Sequence, residues 1–199
     1  MIKLLDILEN KILVPRRSPE ERSKNYMVAI QKKIQQYMKD GGKGDLDLGH
    51  APITSLPQGL KVGGNLDLRY TKITSLPDNL EVGGYLSLKD APITSLPKGL
   101  KVRGYLDLLN TKITSLPDGL EVGEYLNLEL TPITSLPQGL KVGGDLDLYK
   151  SKIASLPQDL KVGGHLDLRN TLIAQKYSKD EIKQIIEDGG GYVKKGIYI

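Results

Sequence analysis

From Gly44 onward the apolar positions of the chain return every twenty residues. With Leu56 as position 1 the turn reads L-P-x-x-L-x-V-G-G-x-L-x-L-x-x-T-x-I-T-S, and full turns begin at Leu56, Leu76, Leu96, Leu116, Leu136 and Leu156 after a partial turn DLDLGHAPITS. A fixed period in this range predicts a solenoid, in which each turn buries its apolar face only by stacking on the next. Within a turn the apolar positions 5, 7, 11 and 13 are all odd, and such period-2 alternation means extended backbone with side chains alternately in and out. Leu66 and Leu68 are therefore predicted to point inward and Asp67 outward. Gly63-Gly64 lies between the two apolar pairs and supplies a bend, and Pro57 at position 2 sits at a corner because it has no N–H for a ladder.

The flanks break this period. Leu4, Leu5, Ile7 and Leu8 form a short helical stripe that Val14-Pro15-Arg16-Arg17 interrupts. Ser18-Pro19-Glu20-Glu21 then combines an N-cap, a first-position proline and an acidic third position, which predicts a helix. Its apolar face is Tyr26, Met27, Ile30, Ile34, Tyr37 and Met38, and it should stop at Asp40-Gly41-Gly42. After Ile173 the repeat dissolves: Ser178-Lys179-Asp180-Glu181 opens a helix through Ile182, Ile185 and Ile186, Gly189-Gly190-Gly191 ends it, and Tyr192–Ile199 reads as a strand. The organisation predicted is a helical N-terminal cap over 1–43, the solenoid over 44–175 and a helix-plus-strand cap over 176–199. Caps are expected because a bare solenoid end exposes core and an unpaired edge.

The stretch Leu66-Asp67-Leu68-Arg69-Tyr70-Thr71-Lys72-Ile73-Thr74-Ser75-Leu76-Pro77 resembles the leucine-rich repeat, in particular its twenty-residue bacterial form with an LP corner. It is also similar to short VGG-containing repeats of phage and environmental genomes, and the likeness spans roughly residues 44–175. The resemblance implies a mainly β, right-handed solenoid with helical caps, and a partner protein bound on the concave strand face. The phage-borne relatives imply a host protein as partner, such as a defence component that is blocked. This chain departs from the family pattern twice. Threonine, or Ala51, Ala91 and Ser151, replaces the ladder asparagine, and glycine replaces the first strand leucine with Val62 one residue early. The second departure leaves a β-helix-like cross-section as the alternative.

Composition narrows the function classes. Among 199 residues there is no cysteine, tryptophan or phenylalanine, so a disulfide framework and a thiolate zinc site are both excluded. Asp6, Glu9 and Lys11 interrupt the apolar start, which makes it a poor signal peptide, and nothing reaches eighteen uninterrupted apolar residues. The expectation is a soluble, cytoplasmic protein. Its net charge of +4 is uneven: residues 1–44 hold ten Lys/Arg against five Asp/Glu, whereas residues 45–175 hold thirteen against fifteen. Binding of nucleic acid or another anionic partner is thus an alternative that rests on the N-terminal segment, through Arg16, Arg17, Lys32 and Lys33.

Candidate chemistry follows from the outward columns. Position 10 runs Asp45, Asn65, Tyr85, Tyr105, Tyr125, Asp145, His165, and position 12 runs Asp47, Asp67, Ser87, Asp107, Asn127, Asp147, Asp167. Three successive tyrosines predict a stacked recognition strip, because tyrosine offers stiff contact area with a polar tip. Asp107 and Asn127 beside it, with Arg69, Lys89 and Glu129 from position 14, set its polarity. The acidic column either faces a basic partner or is neutralised locally by Arg69, Lys89 and Arg169. It converges on no point, so no metal is expected. No catalytic constellation is legible either. His50 and His165 lie roughly 27 Å apart by strand spacing, and Gly41-Gly42-Lys43-Gly44 follows a helix where a phosphate loop follows a strand. No enzyme activity and no cofactor are expected. The charges at position 6, Lys61, Glu81, Lys101, Glu121, Lys141 and Lys161, alternate in sign until the last turn, which supports register. A third reading is a structural protein that self-associates through the edge at Tyr192–Ile199.

Overall fold

A computed structural model describes residues 18–199; the stripe at Leu4–Leu8 and the candidate residues Arg16 and Arg17 lie outside the described residues. Helix α1 spans Pro19–Lys39. The Ser18 hydroxyl accepts the Glu21 N–H and the Glu21 carboxylate accepts the Ser18 N–H, at 3.1 and 2.9 Å, so the capping box read from the sequence forms. The helix ends at Asp40, where Gly41 and Gly42 turn left-handed with φ of 80° and 66°. The Tyr37 hydroxyl lies 2.8 Å from the Gly42 carbonyl and 2.7 Å from that of Gly44, which ties the helix end to the first turn. Ile30 and Ile34 are buried against the core and Met27, Tyr37 and Met38 pack partly against it. Tyr26, expected on the same face, is instead 47% exposed. The N-terminal half of α1 barely touches the solenoid: none of residues 18–29 is buried, and among them Met27 packs only partly against the core.

Each twenty-residue turn contributes two two-residue strands, where the periodicity had suggested one lining strand. Positions 11 and 12 build an eight-stranded parallel sheet from Leu46–Asp47 through Leu146–Asp147 and His165–Asp167, closed by Gly196–Tyr198. Positions 6 and 7 build a seven-stranded parallel sheet from Lys61–Val62 to Lys161–Val162, closed by Tyr192–Val193. Equivalent positions pair, as in Leu66 with Leu86 and Val62 with Val82. The second sheet gives the solenoid its β-helix-like cross-section. Inward columns of Leu, Val and Ile fill the interior, and Leu66, Leu86, Leu106, Leu126 and Leu146 are fully buried.

Glycine at positions 8 and 9 lets successive turns touch at the corner between the sheets. A Cβ on Gly163 would lie 2.0 Å from the Gly143 carbonyl oxygen, so the backbones could not stack at their present spacing. Arg103 and Glu124 break this rule without parting the turns. The Glu124 N–H reaches the Gly104 carbonyl at 3.3 Å, but the Glu124 carbonyl accepts the Gly144 N–H at 2.6 Å, and a Cβ on Gly123 would lie 1.8 Å from the Arg103 carbonyl oxygen. Position 16 threonines are buried and turn inward on their own loop. Thr71, Thr111 and Thr131 donate to the carbonyls of Leu68, Leu108 and Leu128 at 2.6–2.8 Å, so no side-chain ladder replaces the absent asparagines. On the seven-stranded sheet Lys61–Glu81 (3.5 Å), Glu81–Lys101 (4.0 Å) and Glu121–Lys141 (2.8 Å) form the exposed register pairs, whose attraction water largely screens.

The C-terminal segment corrects the expectation of a single strand. A short helix α2, Leu172–Lys176, is followed by α3, Lys179–Asp188, with its own Ser178–Glu181 capping box. Tyr192–Val193 then joins the seven-stranded sheet and Gly196–Tyr198 the eight-stranded one, with Tyr192 opposite Lys161 and Ile197 opposite Leu166. YVKKGIYI is therefore half a solenoid turn matching KVGGHLDL, and α2 with α3 stands in for the other half. At the opposite end the Lys33 ammonium donates to the Asp47 carbonyl on the first strand of the eight-stranded sheet. That contact occupies an edge acceptor and shields the edge from pairing.

Candidate recognition face on the eight-stranded sheet

Local hydrogen bonding explains the acidic column before any partner is invoked. At position 12 a carboxylate or amide oxygen accepts the backbone N–H two residues on: Asp67 from Arg69 (3.0 Å), Asp107 from Leu109 (3.1 Å), Asn127 from Glu129 (2.9 Å) and Asp147 from Tyr149 (2.8 Å). The same bond forms at Asp47 and Asp167. Each side chain satisfies an N–H that the strand leaves unpaired where it ends, which is the ordinary turn chemistry of Asp and Asn. Only Ser87 departs, and its hydroxyl donates to Asp107 at 3.1 Å.

The expected local neutralisation holds at two turns and fails at the third. Arg69 binds Asp67 through Nε at 2.9 Å and Nη2 at 2.6 Å, and Arg169 binds Asp167 in the same bidentate way. Lys89 stands beside Ser87, and among the described residues it pairs with no carboxylate. Burial raises the Asp67 carboxyl, but the hydrogen bonds and charge of Arg69 outweigh it and leave Asp67 below the usual carboxylate range. Its contribution to stability is therefore complete above the unfolded carboxyl pKa and is lost only as pH falls through the lowered folded value.

Position 10 shows a second linkage, one that the tyrosines interrupt. Asp45 accepts the Asn65 N–H (2.7 Å), Asn65 accepts the Tyr85 N–H (2.9 Å) and Asp145 accepts the His165 N–H (2.7 Å), so each Asp or Asn bonds the corner of the following turn. Tyr85, Tyr105 and Tyr125 carry no acceptor that can do this. Three consecutive turns forgo a bond worth about 0.5–1.5 kcal/mol each. The tyrosines do not form the expected stacked strip of three. Tyr105 and Tyr125 meet edge to face, with centroids 6.2 Å apart and planes at 88°, and among the described residues Tyr85 is in no such pair. The Tyr125 hydroxyl donates to Asp147 at 3.1 Å; burial first, then the Asp147 charge, push its pKa well above the ordinary phenol value. Burial also raises Tyr85, with the Asp67 charge adding to it.

A groove of about 600 Å³ opens along this face, lined among others by Tyr105, Glu124, Tyr125, Asp145, Asp147, His165 and Tyr198. A second hollow, of about 440 Å³, lies between Tyr85, Arg103, Tyr105 and Glu124. Asp107, Asn127 and Glu129 lie half-buried on the face, Tyr105 is 50% exposed, and Arg69 and Lys89 bound the face on its N-terminal side. Sequence reasoning missed Arg103, Glu124, Asp147, Tyr198 and Leu130. The first two had a signal, since they alone interrupt V-G-G in the full turns.

Leu130 belongs to a column that no glycine marks. Position 15 is left-handed in every turn, at His50, Tyr70, Asp90, Asn110, Leu130, Lys150 and Asn170, with φ of 54–60°. For a bulky residue this conformation costs about 1–2 kcal/mol, yet Leu130 is 45% exposed and gains little burial in return. Leu130→Asn is expected to raise the melting temperature by about 2–4 °C; a fall in calorimetry would contradict the backbone conformation.

The remaining candidates do not converge. Lys33 is engaged with Asp47 and Lys32 is exposed on α1. His50 stacks on Tyr70 at 4.6 Å, and His165 tilts against Tyr198 at 5.2 Å, in a different column. Among the described residues no group of three or more His, Cys, Asp or Glu side chains is placed to hold a metal ion. No described helix is long and apolar enough to cross a membrane. No protein-family model matches the chain, and no curated protein is similar to it. The likeness to leucine-rich repeats therefore rests on the motif, and the architecture is a solenoid of parallel strands repeating every twenty residues.

Proposed function

We propose that this protein is a non-catalytic recognition module that binds a partner protein on the outer face of its eight-stranded sheet, centred on Tyr105 and Tyr125. The observation that carries the reading is where the chain departs from the residues its scaffold favours. The lost position-10 linkages at Tyr85, Tyr105 and Tyr125 and the replacement of corner glycines by Arg103 and Glu124 fall in neighbouring turns. Residues that weaken a fold at one place are the mark of a surface kept for another purpose. The resemblance to phage-borne repeats adds the narrower form of the proposal, an inhibitor whose partner is a host defence protein.

The test is capture of the partner by immobilised protein from an extract of the native host. The Tyr85/Tyr105/Tyr125 triple alanine variant is expected to keep its circular dichroism spectrum and to retain less than about a tenth of the captured protein, as hot-spot aromatics do. A Lys72/Lys112/Lys152 triple alanine variant, altered on another side of the solenoid, should capture normally. Undiminished capture by the tyrosine variant would remove this face from consideration.

A further inference from the structure

The solenoid carries its own template for what its central carboxylates accept. In two turns the position-12 aspartate is paired with the arginine two residues on: Asp67 with Arg69 and Asp167 with Arg169, both bidentate. The Arg169 guanidinium also lies 5.5 Å from the ring centre of Tyr149 and 5.9 Å from that of Tyr198, so the fold holds an arginine between a carboxylate and aromatic walls. In the turns of Asp107 and Asp147 position 14 is Leu109 and Tyr149. Among the described residues no lysine or arginine forms an ion pair with either aspartate. Glu124, Asp145 and Asp167 line the same groove as Asp147 and outnumber its one lysine, Lys195, and Tyr105 and Tyr125 supply rings along it. Asn127 between the two is neutral and separates the charges into two stations.

We infer that the partner segment is a basic, extended peptide whose arginine side chains occupy the Asp107 and Asp147 stations from outside, as Arg69 and Arg169 occupy theirs from within. This rests on the recognition reading above and gives it a chemistry. The register sets the spacing. Asp107 and Asp147 are two strands apart, about 9.6 Å at the usual 4.8 Å separation of strands. In polyproline II a residue advances about 3.1 Å and the helix has three residues per turn. Residues i and i+3 therefore point the same way about 9.3 Å apart, which matches the stations. The segment has arginines three apart and runs along the solenoid axis, across the strands. Guanidinium is preferred over ammonium because it binds a planar carboxylate through two N–H donors, as Arg69 and Arg169 do here.

The experiment titrates the full chain with two capped peptides of identical composition, Arg-Pro-Pro-Arg-Pro-Pro and Arg-Arg-Pro-Pro-Pro-Pro, at low salt. The first is expected to bind about ten-fold or more tightly than the second, with affinity falling as salt rises. The Asp107→Asn/Asp147→Asn variant should lose that advantage while melting within a few degrees of the parent, because asparagine keeps the bond to the N–H two residues on, as Asn127 does. Equal affinity for the two peptides, or an unchanged preference in the variant, overturns the inference. So does spermine displacing the peptide at matched charge, which would make the site one for small polycations. If the aspartate variant still captures the cellular partner and the tyrosine variant does not, the basic-segment inference fails and the face stands. If the tyrosine variant also captures it, the face itself is wrong.

Discussion

Leu126→Ala is expected to lower the melting temperature by about 5–15 °C, from a loss of about 2–5 kcal/mol. Leu126 is fully buried in the middle of the solenoid, with Leu106 on one side and Leu146 on the other. Neither neighbour can move into the space the substitution leaves. Their backbones are held by the ladder, with Leu106 N–H on the Tyr125 carbonyl at 2.8 Å and Leu126 N–H on that of Asp145 at 3.0 Å. The cost of a large-to-small change depends on how far its surroundings collapse, so a rigid column puts this site toward the upper end of the range. Differential scanning calorimetry measures it, and a fall of less than about 2 °C would mean that the stacked leucines do not carry the stability assigned to them.

Ending the chain at Gly191 is expected to make the protein aggregate. The change removes the half-turn that closes both sheets. The carbonyls of Leu160, Val162 and Gly164 lose the N–H groups of Tyr192, Lys194 and Lys195, and the Leu168 N–H loses the Tyr198 carbonyl. Ile197, only 4% exposed, no longer covers Leu166. What remains is a row of unpaired backbone groups beside an open apolar interior, the combination that drives edge-to-edge association. Size-exclusion chromatography with light scattering reads the outcome. A truncated chain that elutes at the mass and melts at the temperature of the whole would show that the half-turn caps nothing.

Much of this fold was legible because it rests on local rules. The capping boxes at Ser18 and Ser178, the glycine stop after α1 and the inward leucines each follow from neighbours within a few residues, and each forms as expected. Other features depend on backbone geometry that side-chain type does not announce. The left-handed bend at position 15 carries no glycine, only a mixture that includes asparagine and aspartate. The position-12 aspartates read from sequence as a column of charge, whereas in the fold their first role is to accept a nearby N–H. The closing half-turn was hidden because Lys194-Lys195 replaces the glycine pair and because the inserted helices shift its partner to 31 residues, as in Lys161 with Tyr192. The candidate face was legible as columns of letters, but the edge-to-face pairing of Tyr105 with Tyr125 and the groove beside them needed the turns placed in three dimensions.

The glycines that fill most corners have a consequence for how such a surface changes over generations. Because the stacking contacts are made by backbone and glycine, a whole turn can be gained or lost without redesigning its neighbours. Unequal recombination between repeats then acts like moving a mark along a measuring stick, in steps of about 4.8 Å. A partner with differently spaced contacts could be followed by copying a turn, with no new corner to invent.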